Sequence, residues 1–511
     1  MQAPPHRSIV IAATLLAAAI AAAYLVWAPS SEDLAAATFR ADLFSDHGFA
    51  IWNNAWYSGH YLPSYSVLYP PVAALLGPRL TGALAVVAAA ALFALLARRR
   101  FGDAALLGSL WFAAAVAIWL VTGRIPFLLA VPFGLGALLA ADSSRLGAAA
   151  VLALLASLAS PVAGLFVALA GAAIALAGER RRGVALAAGA LMPIAALNLA
   201  FPTGGFEPFK FSAFVAIPLA VFAFLWLVPA EHRALRIGAV LYGLLAVVLY
   251  VIENPLGGNA TRLGTLLAGP VLALVLWPGR GRVLLAVAIP LLYWQMVAPV
   301  RDVHKAAGDE STELSFYEPL LGELDRLAAT GESFRIEVPP TKNRWEAAYV
   351  AREYPIARGW LRQLESDDFD LFTDGSLTPE AYRAWLRDHA VSYVAVPDAR
   401  RDYLAEDEVA LIDSGLDYLD EVWSSPDWRL YRVEGSQGFG LQGLGVEAAG
   451  PDGFTLDAPA AGRYPTSVNW SRYWRVTDGD ACVEEDDGKT VVEVAAPGTI
   501  EVGLGLSGGR C

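Results

Sequence analysis

The chain falls into two hydropathy regimes. From Ser8 to about Val300 one apolar run follows another, most near the ~20 residues that a helix needs to cross the hydrocarbon of a bilayer. Runs at 8–28, 78–97, 104–122, 125–141, 146–159, 161–178, 184–201, 210–228, 235–252, 260–277 and 282–299 predict eleven spans. The fifth and sixth are short and divided by Ser160-Pro161; they are placed as two spans, with one kinked helix or a re-entrant pair as the alternatives. The first is longer than the apolar core of a signal peptide, and no small-residue cleavage site follows, so it reads as a retained helix.

Beyond Arg301 the pattern becomes that of a water-soluble protein. Helix-like stretches at 316–330, 379–389 and 406–414 alternate with strand-like ones at 333–338, 392–396 and 428–433. That alternation predicts an α/β module over 301–435. From Ser436 onward, short alternating runs at 467–476, 490–494 and 499–504 among glycines predict a small β-sandwich over 436–511. The expected fold class is thus an α-helical polytopic membrane domain over 1–300, followed by an α/β module and a small β-sandwich.

Charge placement sets the topology. With the N-terminus in the cytoplasm, Arg7, Arg98-Arg99-Arg100, Arg145, Arg180-Arg181-Arg182, Arg233 with Arg236, and Arg280 with Arg282 all fall on cytoplasmic ends. The opposite ends carry scattered charges such as Arg124, Lys210 and Arg262. Eleven spans then put residues 301–511 outside the cytoplasm, on a multi-pass protein of the cytoplasmic membrane. Of the 511 residues only 17% are charged, and the net charge of −13 comes mostly from the second half, which argues against nucleic acid as a partner. The two cysteines, Cys482 and Cys511, lie in the part expected outside, where a disulfide between them would persist. No Cys/His spacing suits a metal, and no glycine-rich phosphate loop or nucleophile elbow occurs in the soluble half.

One connection of the membrane half is long. Residues 29–77 hold Trp52, Trp56, Tyr57, Tyr61, Tyr65 and Tyr69, rings that suit a membrane–water interface. Asp42 and Asp46 are four apart, so a helix would set both carboxylates on one face, with His47 next in line and His60 across a Tyr-Ser-Gly turn.

A first span, a long outer loop with acidic and aromatic residues, many further spans and a soluble C-terminal part resemble the GT-C superfamily of membrane glycosyltransferases. Trp56-Tyr57-Ser58-Gly59-His60 running to Tyr69-Pro70-Pro71 is similar to a loop of bacterial members. Asn254 to Asn259 with Arg262, and Arg344-Trp345-Glu346 with Arg358-Gly359-Trp360, resemble segments of actinobacterial relatives. The resemblance implies a polyprenyl-phosphate sugar donor, arabinofuranose or mannose being the sugars such members favour, and a cell-envelope glycan acceptor outside the membrane. It implies an acidic catalytic base in the first outer loop, matched to Asp46, with Asp42 second and His47 as proton shuttle or metal ligand. Arg262, Arg124 and Lys210 would hold the donor phosphate; Trp56, Tyr57, His60, Arg358 and Trp360 would touch sugar or acceptor. The tandem acidic pair of many members is replaced at this position by Asp46-His47, which leaves a requirement for Mg or Mn open.

The chemistry suits the layout. A lipid phosphate is already a good leaving group, so transfer needs one carboxylate to take the acceptor proton and cations for the departing phosphate. The plainer readings are Asp46 as a helix cap or solvated charge, Arg262 as a helix-end residue, and Trp345 and Trp360 as core. A transporter or channel would carry polar residues at mid-span, and apart from residues such as Asn198 the span centres are Ala, Leu and Val. A non-catalytic envelope-assembly scaffold, or a protein that binds or transports lipid-linked sugar, is the alternative. Sugar transfer by the purified protein distinguishes it from an enzyme.

Overall fold

The computed structural model of the chain describes residues 8–277, 279–331, 333–367, 370–436, 438–439, 445–450, 452–505 and 511. The chain divides into two compact units. Unit 1 comprises residues 1–45 and 63–307, and unit 2 comprises 46–62 and 308–511. Unit 2 therefore includes a piece of the first long loop, and the division lies a little beyond the expected residue 300.

Unit 1 is helical. Its apolar helices are α1 (Ser8–Trp27), then, after α2 (Glu32–His47) and α3 (Tyr69–Leu76), α4 (Pro78–Phe101), α5 (Ala105–Ile118), α6 (Ile125–Asp142), α7 (Leu146–Ala159), α8 (Pro161–Leu176), α9 (Arg180–Ala200), α10 (Phe211–Leu227), α11 (Arg233–Val251), α12 (Thr261–Leu276) and α13 (Gly281–Ala306). These follow the eleven expected runs. Among the described residues, seven helical segments are long and apolar enough to cross a membrane, α4 and α5 forming one continuous segment with the short turns after each. α7, α8 and α10 are shorter. Ser160 adopts an extended backbone between α7 and α8, so these are two helices and not one kinked one. Pro78 and Pro161 start their helices, where a missing N–H costs nothing. The core where α6 to α9 meet is mostly alanine: Ala137, Ala141, Ala149, Ala153, Ala156, Ala168 and Ala190. Such small side chains let helices approach closely when lipid offers no hydrophobic drive.

The last turn of α2 passes into unit 2, where the loop makes the hairpin β1 (Trp52–Asn53) and β2 (His60–Tyr61). After α14 (Leu314–Ala328) come β3 (Arg335–Glu337), α15 (Glu346–Tyr349), α16 (Pro379–Asp388), β4 (Val391–Pro397), α17 (Glu406–Asp413), β5 (Leu419–Ser424) and β6 (Trp428–Val433). Strands β3, β4, β6 and β5, in that order, form a mixed sheet in which β3 and β4 are parallel. Tyr382, Trp385 and Leu386 of α16 and Val409 and Ile412 of α17 are buried in one core with Val394 and Val396 of β4, as the period of these stretches predicts.

The remainder is antiparallel: β7 (Gly445–Gly450), β8 (Gly453–Ala458), β9 (Gly462–Asn469), β10 (Trp474–Asp478), β11 (Ala481–Asp486), β12 (Lys489–Val494) and β13 (Gly498–Leu504). One sheet has the order β10-β13-β8-β7, the other β11-β12-β9. The run expected as one strand at 467–476 is broken into β9 and β10. Ser471 accepts the Tyr473 amide on its hydroxyl (3.2 Å) and the Trp474 amide on its carbonyl (3.0 Å), closing a turn that sends the chain to the other sheet. Cys482 and Cys511 form a disulfide across a separation of 29 residues.

Candidate functional site

Unit 1 gathers its membrane-half charges at the two ends of the bundle. At one end Asp142 pairs with Arg99 (3.7 Å) and Arg100, and Arg182 bonds Ser144 (2.9 Å). α6 runs from Arg124 to this end, and its 18 residues at about 1.5 Å each separate the two ends by about 27 Å.

At the other end, the first turn of α2 carries Glu32 and Asp33. Acidic residues there oppose the positive helix terminus. Arg124 Nε donates to Asp33 Oδ2 at 2.8 Å, with 17% and 27% of the two side chains exposed. Gly123 makes that approach feasible. It has φ of +72°, and a Cβ there would stand 2.4 Å from the Leu34 amide nitrogen. Arg262, in the first turn of α12, lies 5.4 Å from the centroid of the Phe127 ring, and its buried Nε has no acceptor among the described residues. The turn before it is fixed by Asn254, whose Oδ1 accepts the Leu256 and Gly257 amides at 2.9 Å each. From α13, Lys305 meets Glu32 at 2.7 Å, and Arg301 meets the buried Asp302 at 2.8 Å.

Burial would raise the Asp33 carboxyl, but Arg124, Arg262 and Arg301 outweigh it and hold it below the usual carboxylate range. The result is an ionised carboxylate, partly open to solvent, with Oδ2 anchored and Oδ1 without a hydrogen-bond partner among the described residues. That is a group able to take a proton from a bound hydroxyl, set beside two guanidinium groups able to face an anion.

The expected site residues are distributed otherwise. Arg124 and Arg262 come together; Lys210 sits exposed where α10 begins. Asp42 is half-buried on α2 and His47 is exposed. Asp46, the expected base, gives both carboxylate oxygens to Arg352 within unit 2, at 3.0 and 3.1 Å. Each oxygen thus carries one hydrogen bond from that guanidinium. Trp56, Tyr57 and His60 are buried in unit 2 instead of lining an interface. Trp56 donates to the Ala347 carbonyl (3.1 Å), and the Tyr57 hydroxyl accepts the Leu361 amide (3.0 Å).

Arg358 is spent inside the same unit. It bonds Glu337 (2.9 Å from Nε) and Glu408, which also accepts from Tyr382 (2.8 Å). Burial raises the Glu337 carboxyl against the pull of Arg358, with Glu408 adding to the rise. Trp360 is buried, its ring centroid 4.8 Å from the Arg344 guanidinium, which pairs with Glu365 (2.6 Å) and Asp402 (3.2 Å).

Sequence reasoning passed over Glu32, Asp33, Asp302 and Lys305. A signal existed for the first two: they are a tandem acidic pair directly after the first span. Among the described residues no group of three or more His, Cys, Asp or Glu is arranged to hold a metal ion. The carboxylates Glu32, Asp33 and Asp302 each face a cation.

No model of a known protein family matches this chain, and no curated protein does.

Proposed function

We propose that this chain is a membrane glycosyltransferase of the GT-C kind. It moves a sugar from a polyprenyl-phosphate donor to a glycan acceptor at the outer face of the cytoplasmic membrane. The observation that carries the reading is Asp33 beside Arg124 and Arg262, at the bundle end opposite the arginine triplets. In the reaction the acceptor hydroxyl oxygen attacks the anomeric carbon while its proton passes to Asp33 Oδ1. The bond from that carbon to the phosphate oxygen breaks, and the electron pair leaves on the lipid phosphate. Arg262, with donor capacity to spare, faces that growing charge, and Arg124 holds the base in position. Arabinofuranose and mannose are the sugars to try first.

The test is transfer of labelled sugar from polyprenyl phosphate by the purified protein in detergent. Arg262→Ala is expected to weaken donor binding at least about tenfold, as loss of a charge-assisted hydrogen bond of about 1.5–3 kcal/mol implies, with acceptor KM little changed. Unchanged donor affinity in a folded variant takes the phosphate away from Arg262. Absence of transfer with any polyprenyl-phosphate sugar leaves the protein a scaffold.

The outer location is tested separately. Ser376, exposed in unit 2, replaced as Ser376→Cys, should react with membrane-impermeant thiol reagents in intact cells. Labelling that appears only after lysis reverses the topology.

A further inference from the structure

Arg335 in β3 is fully buried, and only one of its three guanidinium nitrogens is used. Nη1 donates to Ser58 Oγ (2.9 Å) and to the His389 carbonyl. Nε and Nη2 have no acceptor among the described residues. We propose that this Nε/Nη2 edge is a binding site for a small oxyanion, a phosphate or a carboxylate, separate from the Asp33 cluster.

The unused nitrogens are the pair whose N–H bonds point the same way, the edge that grips two oxygens of one anion side-on. Elsewhere in unit 2 two arginines use that edge in just this manner. Arg352 holds Asp46 at 3.0 and 3.1 Å, and Arg326 holds Glu323 at 2.9 and 2.6 Å. Arg335 has the same donors and, among the described residues, no carboxylate against them. A buried cation without a counter-charge is costly, so the fold gains when an anion supplies one. Burial alone governs the titration of Arg335, drawing it down to about 9.

The surroundings hold the Ser58 hydroxyl in place. Tyr57 and Ser58 both have left-handed backbones, φ +54° and +58°, in a turn closed by the Gly59 amide on the Trp56 carbonyl (2.9 Å). Strain of this kind persists only where neighbours enforce it. Asn469 does so, donating to the carbonyls of Tyr57 (2.8 Å) and Gly59 (3.0 Å), and Lys489 Nζ in turn donates to Asn469 Oδ1 (2.7 Å). The strained turn thus sets the Ser58 hydroxyl on Arg335 with its own hydrogen left to give.

His389 adds no competing charge. Burial first, then Lys489 and Arg335, draw it down to about 4 against the Trp385 carbonyl, so it is neutral above that pH. The Phe439 ring lies across one face of the guanidinium, its centroid 4.6 Å from the guanidinium carbon.

The experiment follows the thermal unfolding of the full chain in detergent, in phosphate-free buffer at constant ionic strength, with inorganic phosphate, glucuronate or chloride titrated in. Saturable stabilisation by phosphate or glucuronate but not chloride is expected, reaching about a hundredfold in the folded-to-unfolded ratio at a hundred times Kd. A response to phosphate alone assigns a phosphoryl group, and one to glucuronate assigns a sugar carboxylate. Arg335→Met should abolish the response, and Ser58→Ala, which keeps the cation, should weaken it severalfold. A flat titration for both anions overturns the proposal, as does a response that survives unchanged in Ser58→Ala.

Discussion

Asp33→Asn is expected to lower sugar transfer at least about a hundredfold, the lower end of what a positioned general base contributes, while donor binding is kept. The amide retains the shape of the side chain and can still accept the Arg124 hydrogen bond now made at 2.8 Å. It loses only the power to take a proton. Because Arg124, Arg262 and Arg301 hold the wild-type carboxyl below the usual carboxylate range, Asp33 stays ionised as pH falls from neutral toward that range. The acid limb of turnover due to this group therefore lies below the pKa of a free aspartate, and the same ion pairing stabilises the fold above that pH and is lost as pH falls through the lowered value. Asp46→Asn is the paired measurement. Its partner Arg352 is 48% exposed, and exposed pairs of this kind contribute little, so turnover should stay within about threefold, well short of a general-base loss. If instead Asp46→Asn abolishes transfer and Asp33→Asn spares it, the base is Asp46 and the reading of the α2 first turn is wrong.

A protein made of residues 308–511 alone should fail to reach the native state of unit 2, and joining residues 46–62 to it through a flexible linker should restore a cooperative melt. The excised segment is interior, not decoration. Trp56 is fully buried, Ala55 accepts the Ile356 amide (2.9 Å) and Ser58 accepts the Asn469 amide (2.8 Å). Gly359 leaves room for the Trp56 ring, since a Cβ there would fall 2.3 Å from its Cγ. In the full chain Trp56→Ala should cost unit 2 about 3–5 kcal/mol, the usual price of emptying a tryptophan site, read as a lowered unfolding midpoint. A 308–511 fragment that melts cooperatively at the midpoint of the full chain would show the segment to be dispensable.

The membrane helices were legible because lipid imposes one strict demand, a run of apolar residues, and proline and arginine mark where runs stop. The α/β elements were legible from their period, down to Trp428–Val433 falling on β6. What escaped was long-range. The rings of residues 52–61 suit an interface and a protein core equally, and nothing local says that Trp56 will meet Ala347, 291 residues away. Arg358 looked available for a ligand because its partners Glu337 and Glu408 are 21 and 50 residues distant. Asp33 was hidden for the opposite reason: acidic residues opening a helix are ordinary, and only Arg124 and Arg262, brought in from two other helices, make this one unusual.

The threading of residues 46–62 into unit 2 also sets a timetable for biosynthesis. Roughly 270 residues must be made between this segment and Arg335, the first of its partners, at about 5–20 per second. For roughly 14–54 seconds the aromatic hairpin exists with nothing to pack against, a sticky intermediate that every molecule passes through. The helices of unit 1 that follow it are made during that wait, so the hairpin is the first part of unit 2 to be made and among the last to be housed.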